Sequence, residues 1–481
     1  MILALSFSGV LFAQTPQEEY EAWKKQAQGN YSRYRQQSID DYQAFRKKAN
    51  EEYAEFVKSA WMAIGRKPAM PVPEEPKPPV PPKVPDVKPE PEPIPHEEVT
   101  PTPTPQPVPD VPIPVAPPAD NTVKVSYYGT EVTVHIDKDK AISLGELNGE
   151  TLSATWTELS DGSYDAMLAD CLNAKKTLSI GDWGYISLVE KVAKSVSKGN
   201  NEAVFMQQWL LTQSGYKSRL AMTRKGVLQI YMPFDVLVFN LPYIEMDEEP
   251  YFLITGNSRE DDEIQVLTKG FPEEHLSSLR IAGSPKLAYK ACGRRTLRSK
   301  EYPSVTLQSE ENSNLIAYYN DYPKVVGSWD VYANASLSEE VKKAMYPKLR
   351  KMLEGKSELE KAEMLLNWVQ TAFEYKTDEE QFGGERSLFA DESLYYPYCD
   401  CEDRSILLSI LVRDLLGLDL VLLHFPGHLA TAVKFKTNVD GDYLDLEDGR
   451  YIVCDPTYIG APVGVAMPAC KQQEVRVFPL K

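Results

Sequence analysis

The sequence predicts an α+β protein built from several units, and three observations carry that prediction. Two blocks repeat the order of an apolar helix, a Gly-marked turn and then short β-like runs, one between residues 180 and 257 and one between residues 400 and 456. A tract rich in proline separates these blocks from a long amphipathic helix near the start. Finally, 481 residues exceed what one hydrophobic core usually serves.

Composition narrows the function classes. A formal charge of -18 and a pI near 4.9 disfavour a nucleic-acid partner, which wants a basic face to displace counterions from phosphate. Met1 to Ala13 is an apolar run ending in a small residue, and it reads as a signal peptide that sends the chain to the periplasm or beyond. The run is too short to span a bilayer, and no later stretch is uniformly apolar for long enough, so an integral membrane protein is not expected. Six cysteines in so long a chain do not make a disulfide scaffold.

Residues 14–65 hold a helix with an eleven-residue repeat. Tyr20, Tyr31, Tyr42 and Tyr53 form one row, and Trp23, Tyr34, Phe45 and Phe56 form another. Eleven residues in three turns sit close to the natural helical period, so the aromatic stripe drifts slowly and asks for a partner surface. That partner is expected to be a second copy, another protein or the body of the chain, through residues 20–60. Gly29 marks an expected kink. Residues 66–120 contain 22 of the 37 prolines. They are expected to form an extended spacer reaching on the order of 150 Å.

The folded body then follows. Residues 121–260 open on a hairpin around Gly129 that carries His135, and continue through helices to strands. The unit is a possible degenerate copy of the C-terminal one, with Gly199, Gly226 and Thr255 near the places of Cys401, His428 and Asp455. Residues 261–335 read as a β-rich antiparallel layer, including runs at Leu287–Lys290 and Leu315–Tyr319. Residues 336–481 begin with a helix from Ser338 to Leu353, with Ser336 or Ser338 as its cap, and a helix from Ser357 to Tyr375, and end in the block that carries the chemistry.

In that last block Cys401 precedes an apolar helix that stops at Gly417. A sulfur at a helix N-terminus meets free amides and the positive end of the macrodipole, which favour thiolate. Glu402 and Asp403 oppose it, so a cationic neighbour is wanted, and His428 after Gly427 is the natural one. His428 opens an alternating run and can accept and return a proton. Asp455 ends the following run and can fix the imidazole tautomer. Tyr375 and Gln381 lie upstream as candidate oxyanion donors. Cys399, Cys454 and His424 read as packed residues. The spacing Cys399-x-Cys401 does not suit a zinc knuckle, and no loop has EF-hand spacing, so no metal and no cofactor are expected.

Taken together, Cys401-Glu-Asp-Arg-Ser, Gly417-Leu, Pro426-Gly-His428-Leu-Ala-Thr-Ala-Val and Cys454-Asp455-Pro-Thr resemble the transglutaminase-like superfamily, relatives of the papain-type cysteine enzymes. The likeness covers roughly residues 340 to 465. Family members often carry Trp soon after the histidine and Gly before the cysteine; this chain has Leu429 to Val433 and Asp400 there. The resemblance implies a Cys401, His428, Asp455 triad on a helix packed against an antiparallel sheet. It also implies a cysteine peptidase, amidase or acyltransferase working on peptide or protein amides through a thioester. A noncatalytic binding or assembly protein on the same fold is the alternative.

Overall fold

A computed structural model describes residues 16–72, 79, 82–85, 90–97, 121–136, 142–255, 263–325 and 327–480. The expected signal peptide and much of the proline tract lie outside them. The described residues are mixed α and β, 40% helical and 24% strand, with antiparallel sheets.

The chain opens with α1 (Pro16–Ser59) and β1 (Trp61–Gly65), then the hairpin β2 (Thr122–Tyr127) and β3 (Thr130–His135). Four helices follow: α2 (Gly149–Leu159), α3 (Asp165–Leu178), α4 (Gly181–Val196) and α5 (Asn200–Gln213). Next come β4 (Arg219–Met222), β5 (Leu228–Met232), β6 (Val238–Phe239), β7 (Tyr243–Met246), β8 (Glu249–Leu253) and β9 (Glu263–Leu267). The middle of the chain contributes β10 (Ala291–Arg298), β11 (Thr306–Asn312), α6 (Ser313–Asn320), β12 (Lys324–Val325) and α7 (Asp330–Ala333). The last unit has α8 (Glu339–Leu353), α9 (Glu358–Ala372), α10 (Asp378–Phe382), α11 (Ala390–Tyr395) and α12 (Cys401–Leu416). It closes with β13 (Asp419–Phe425), β14 (His428–Lys434), β15 (Tyr443–Leu446), β16 (Gly449–Cys454) and β17 (Arg476–Pro479).

Two sheets dominate, and they share one connectivity. The first runs β1-β9-β4-β5-β8-β7 and the second β15-β16-β14-β13-β17. Replacing β4, β5, β7, β8 and β9 by β13, β14, β15, β16 and β17 turns one order into the other, leaving β1 as an extra edge strand. Each sheet is packed by the helix immediately before it, α5 against β4 and β5, α12 against β13 and β14. Each of those helices is in turn covered by an earlier one, α4 or α9.

The aromatic repeat of α1 divides along its length. Tyr53 is buried on Trp156 with ring centroids 4.4 Å apart, and Ala49, Ala54 and Val57 are buried with it. A buried polar network locks this end: Trp156 donates to Asn50 (2.9 Å), Arg46 Nε to Gln213 (2.6 Å), and Gln213 Nε2 to Asn50 (2.9 Å). β1 then adds itself to the edge of the first sheet, Trp61 opposite Leu267. By contrast Tyr20, Trp23, Tyr31 and Tyr34 of the first half are 55, 62, 68 and 74% exposed. The helix continues through Gly29 from Pro16 to Ser59, so the expected kink is not a break.

Three further expectations are corrected. Leu315–Tyr319 is part of α6 rather than a strand, because Asn312 caps a helix there by accepting from the Asn314 amide, which lets Leu315, Tyr318 and Tyr319 share a buried face. No strand forms at Leu287–Lys290; the antiparallel pairing of this region lies in β10 and β11. The proline tract is not free throughout. Ile94 is buried and its amide donates to Tyr443 O (2.8 Å), while that of Glu97 donates to Val475 O (3.0 Å). The few non-proline amides of this stretch are the ones that bond the body, as the missing donors of proline require.

Candidate active site

Cys401 is the first residue of α12, whose C-terminus is closed by Gly417 in the left-handed conformation. The first turn lies on the start of β14. Leu429 directs its backbone N–H at the Cys401 sulfur, and Ser405 Oγ donates to Leu429 O (2.9 Å). His428, one residue before Leu429, therefore enters the sheet beside the turn that holds Cys401. Across the sheet β14 pairs with β16, Thr431 opposite Cys454. That register brings the residue after β16, Asp455, to His428: Nε2 and Oδ2 are 2.9 Å apart, and both side chains are buried.

Asp455 is itself held. Its Oδ1 accepts the amides of Thr457 (2.9 Å) and Tyr458 (3.1 Å). Gln370 of α9 donates Nε2 to the carbonyls of Asp455, Tyr458 and Ala461, each at 3.0 Å, and accepts the Gly460 amide at 3.1 Å. With Asp455 on Nε2, the proton of a neutral imidazole sits there and Nδ1 is the nitrogen left to accept. Burial pulls the His428 imidazolium down, but the charge and hydrogen bond of Asp455 outweigh it, and the group titrates above its ordinary value.

The sulfur departs from expectation. Burial, then the charges of Glu402 and Asp400, push the Cys401 thiol well above its usual range, and the thiol donates to Glu402 Oε2 (2.9 Å). The Leu429 amide pulls the other way but does not prevail. The helix N-terminus alone thus does not yield a thiolate, because two carboxylates flank the sulfur in a water-poor site. Cys399, buried two residues earlier and ahead of the helix, is pushed up to about 12 by burial.

Of the upstream candidates, Tyr375 is partly exposed and its phenol is raised by burial and by the charges of Cys401, Asp400 and Glu402, which places it at the site. Gln381 donates to Tyr398 O (3.4 Å). His135 pairs with Asp170 (2.7 Å), and His424, opposite Leu429 in the sheet, packs its ring at 48° to Trp329. Sequence reasoning passed over Gln370 and Arg404. Arg404 is fully buried and donates to Gln370 O (3.2 Å) and Phe373 O (3.1 Å), tying α12 to the end of α9. A lone arginine at the start of an apolar helix was the available signal.

Among the described residues, the matching places of the first sheet hold no such constellation. Asn201 of α5 accepts the Leu228 amide on Oδ1 (2.9 Å), which is the bond that Cys401 makes with Leu429. By that bond Asn201, rather than Gly199, holds the place of Cys401, and Val227, rather than Gly226, that of His428. Thr255 follows β8 as Asp455 follows β16, and it accepts the Ile230 amide (2.9 Å). An amide, an aliphatic chain and a hydroxyl supply neither nucleophile nor base.

Among the described residues, acids also gather around Cys401: Asp378, Glu385, Asp400, Glu402 and Asp403. These are the residues able to hold a metal. No helix of the described residues is long and apolar enough to cross a membrane. Comparison with known proteins finds no matching family model, no matching curated protein and no matching solved structure.

Proposed function

We propose that the chain is an exported cysteine enzyme of the transglutaminase-like type, acting on peptide or protein amides. The observation that carries this reading is the buried 2.9 Å pair of His428 and Asp455 entering the sheet beside the turn that holds Cys401. In this reading Cys401 Sγ bonds to the amide carbonyl carbon, its proton passes through His428 Nδ1 to the leaving amine, and the C–N bond breaks. Water or a second amine then cleaves the thioester and returns a proton to Cys401. The unit from α4 to β9 is a duplicated copy with its nucleophile replaced. The test is turnover of a peptide library, with and without a primary amine, followed by mass spectrometry. Loss of all product in Cys401→Ala and His428→Ala, with product retained in Cys399→Ser, supports the reading. Unchanged turnover in Cys401→Ala sinks it.

A second role, assembly, is favoured by the exposed half of α1. Two copies laid antiparallel about Ala27 bring Tyr20 to Tyr34, Trp23 to Tyr31 and Glu21 to Arg33, with Lys24 facing Asn30. Aromatics cover aromatics and no like charges meet among these pairs. The partner is accordingly a second copy of this chain. A protein that does only this, with an idle Cys401, is the alternative to the enzyme.

A further inference from the structure

Five carboxylates gather in two overlapping groups from three pieces of chain. Asp378 begins α10, Glu385 lies in the loop after it, and Asp400, Glu402 and Asp403 surround the start of α12. One oxygen each from Asp378, Asp400 and Asp403 lie within 4.8 Å of one another, and so do one each from Asp378, Glu385 and Glu402. Asp378 belongs to both groups, so the two are one cluster. Asp378, Asp400, Glu402 and Asp403 are all more than nine-tenths buried.

Their hydrogen bonding is incomplete. Leu388 N–H fixes Asp403 Oδ1 (2.8 Å) and Arg386 N–H fixes Asp378 Oδ2 (2.6 Å), but Asp403 Oδ2 and Asp400 Oδ1 are buried with no partner. Asp400 stands at the N-cap of α12, yet its side chain does not cap the helix. Two cations act on Asp378, Arg386 and Lys324. The Arg386 guanidinium, however, is engaged by Glu392 and Asn320. Buried carboxylates with unmet lone pairs are costly unless a proton or a cation satisfies them.

We propose that this cluster is a cation site built for Ca²⁺. Its donors are all oxygens, the preference of hard cations. Oxygens within 4.8 Å of one another are close enough to share one ion, since two ligands on opposite sides of Ca²⁺, each about 2.3–2.6 Å away, stand up to roughly 5.2 Å apart. Mg²⁺ asks for shorter, strictly octahedral bonds and keeps its waters, which a dry pocket of five acids suits poorly. Three of the acids are contiguous with Cys401, so the ion would fix the turn that carries the sulfur and draw Glu402 from the Cys401 thiol. The ligands come from three separate pieces of chain, which is why no calcium-loop spacing exists in the sequence. The site stands on these acids alone, whether or not Cys401 turns over a substrate.

The test uses the full chain stripped with a chelator and then titrated with Ca²⁺ or Mg²⁺, reading Tm and calorimetric binding. Tb³⁺ serves as an optical probe sensitised by Tyr375, which feels the charges of Asp400 and Glu402. The expected result is one tight Ca²⁺ per chain, a Tm that climbs with the logarithm of Ca²⁺ concentration, and Mg²⁺ weaker by at least about tenfold. Asp378→Asn and Asp400→Asn should each weaken Ca²⁺ by roughly tenfold or more, comparable to losing a supporting group at a metal site. Their ion-free Tm should be no lower than that of the native chain, since each removes a like charge. Asp403→Asn, which keeps an acceptor for Leu388, guards against misfolding of the others. Asp445→Asn, at the exposed position of β15, should change nothing. The proposal is overturned if millimolar Ca²⁺ leaves Tm unmoved, or if all the cluster variants bind as the native chain does, which would mean that surface acids alone attract the ion.

Discussion

His428 and Asp455 stand 27 positions apart in the chain, yet Nε2 of one and Oδ2 of the other are 2.9 Å apart in a buried seam between β14 and the end of β16. The carboxylate does two things there, aiming the ring and favouring its charged form. Asp455→Ala removes both, and activity should fall by roughly 10²–10⁴. Asp455→Asn keeps an acceptor for Nε2 but not the charge, so its activity should lie between. In that variant burial prevails and His428 titrates lower than in the native chain. The sign for stability follows: a raised histidine stabilises below its unfolded value, near 6.5, and loses that contribution as pH rises through its folded value. Histidine NMR titration of the two chains checks the direction.

Gln370 makes four hydrogen bonds to the loop that begins at Asp455. Gln370→Leu strands three carbonyls and an amide in the interior, a loss of roughly 3 kcal/mol or more. As a positioning residue it touches no substrate, so kcat should drop while KM holds. A raised KM with kcat unchanged would assign it to binding instead.

Asp391 of α11 gives the chain a second pH signature. It is buried and accepts the Ser338 amide on Oδ2 (3.0 Å). Burial first, then the charges of Glu311 on β11 and Glu340 on α8, push its carboxyl up to about 7. Glu392 beside it and Tyr319, Tyr346 and Cys292 on the packed elements feel the same field. A carboxyl raised on folding binds its proton more tightly when folded, so stability from this group is full below about 4 and falls as pH rises through about 7. Asp391→Asn keeps the acceptor and avoids the charge. It should match the native chain at acidic pH and exceed it at mildly alkaline pH by up to about 4 kcal/mol. Urea midpoints at the two pH values decide; an equal difference at both refutes the assignment.

Sedimentation of the full chain tests the helix. Native chain should dimerise, and Trp23→Glu with Tyr31→Glu should give monomers with the same Tm, because both rings are exposed on the single chain. Glu21→Arg should weaken the dimer, and adding Arg33→Glu should restore it. A native monomer at all concentrations removes the role.

Local rules made much of the fold legible. The helix starts at Ser338 and Ser357, the stop at Gly417 and the hairpin at Gly129 all depend on a few neighbouring residues, and each is where the sequence places it, with Ser338 rather than Ser336 as the cap. Leu315–Tyr319 was misread because its aromatic and β-branched content suits a strand, while the cap at Asn312 decides for a helix. The site was partly legible: Cys401, His428 and Asp455 each mark the start or end of an element, and such ends are readable. Gln370 and Arg404 were not, since a buried amide or guanidinium has no periodic signature.

What the amino-acid order alone determined is the succession of helix, turn and strands, twice over, with a thiol, an imidazole and a carboxylate at the element boundaries of the second block. The tertiary structure decided what depends on register between distant segments. It set Asp455 on His428, put Asn201 in the first block where the second has Cys401, buried one half of the aromatic helix and left the other exposed. It also drew Asp378 and Glu385 toward the acids that flank Cys401. Backbone propensity acts over a few residues, whereas charge and burial act through space, so the electrostatics of Cys401 were out of reach until the chain was folded.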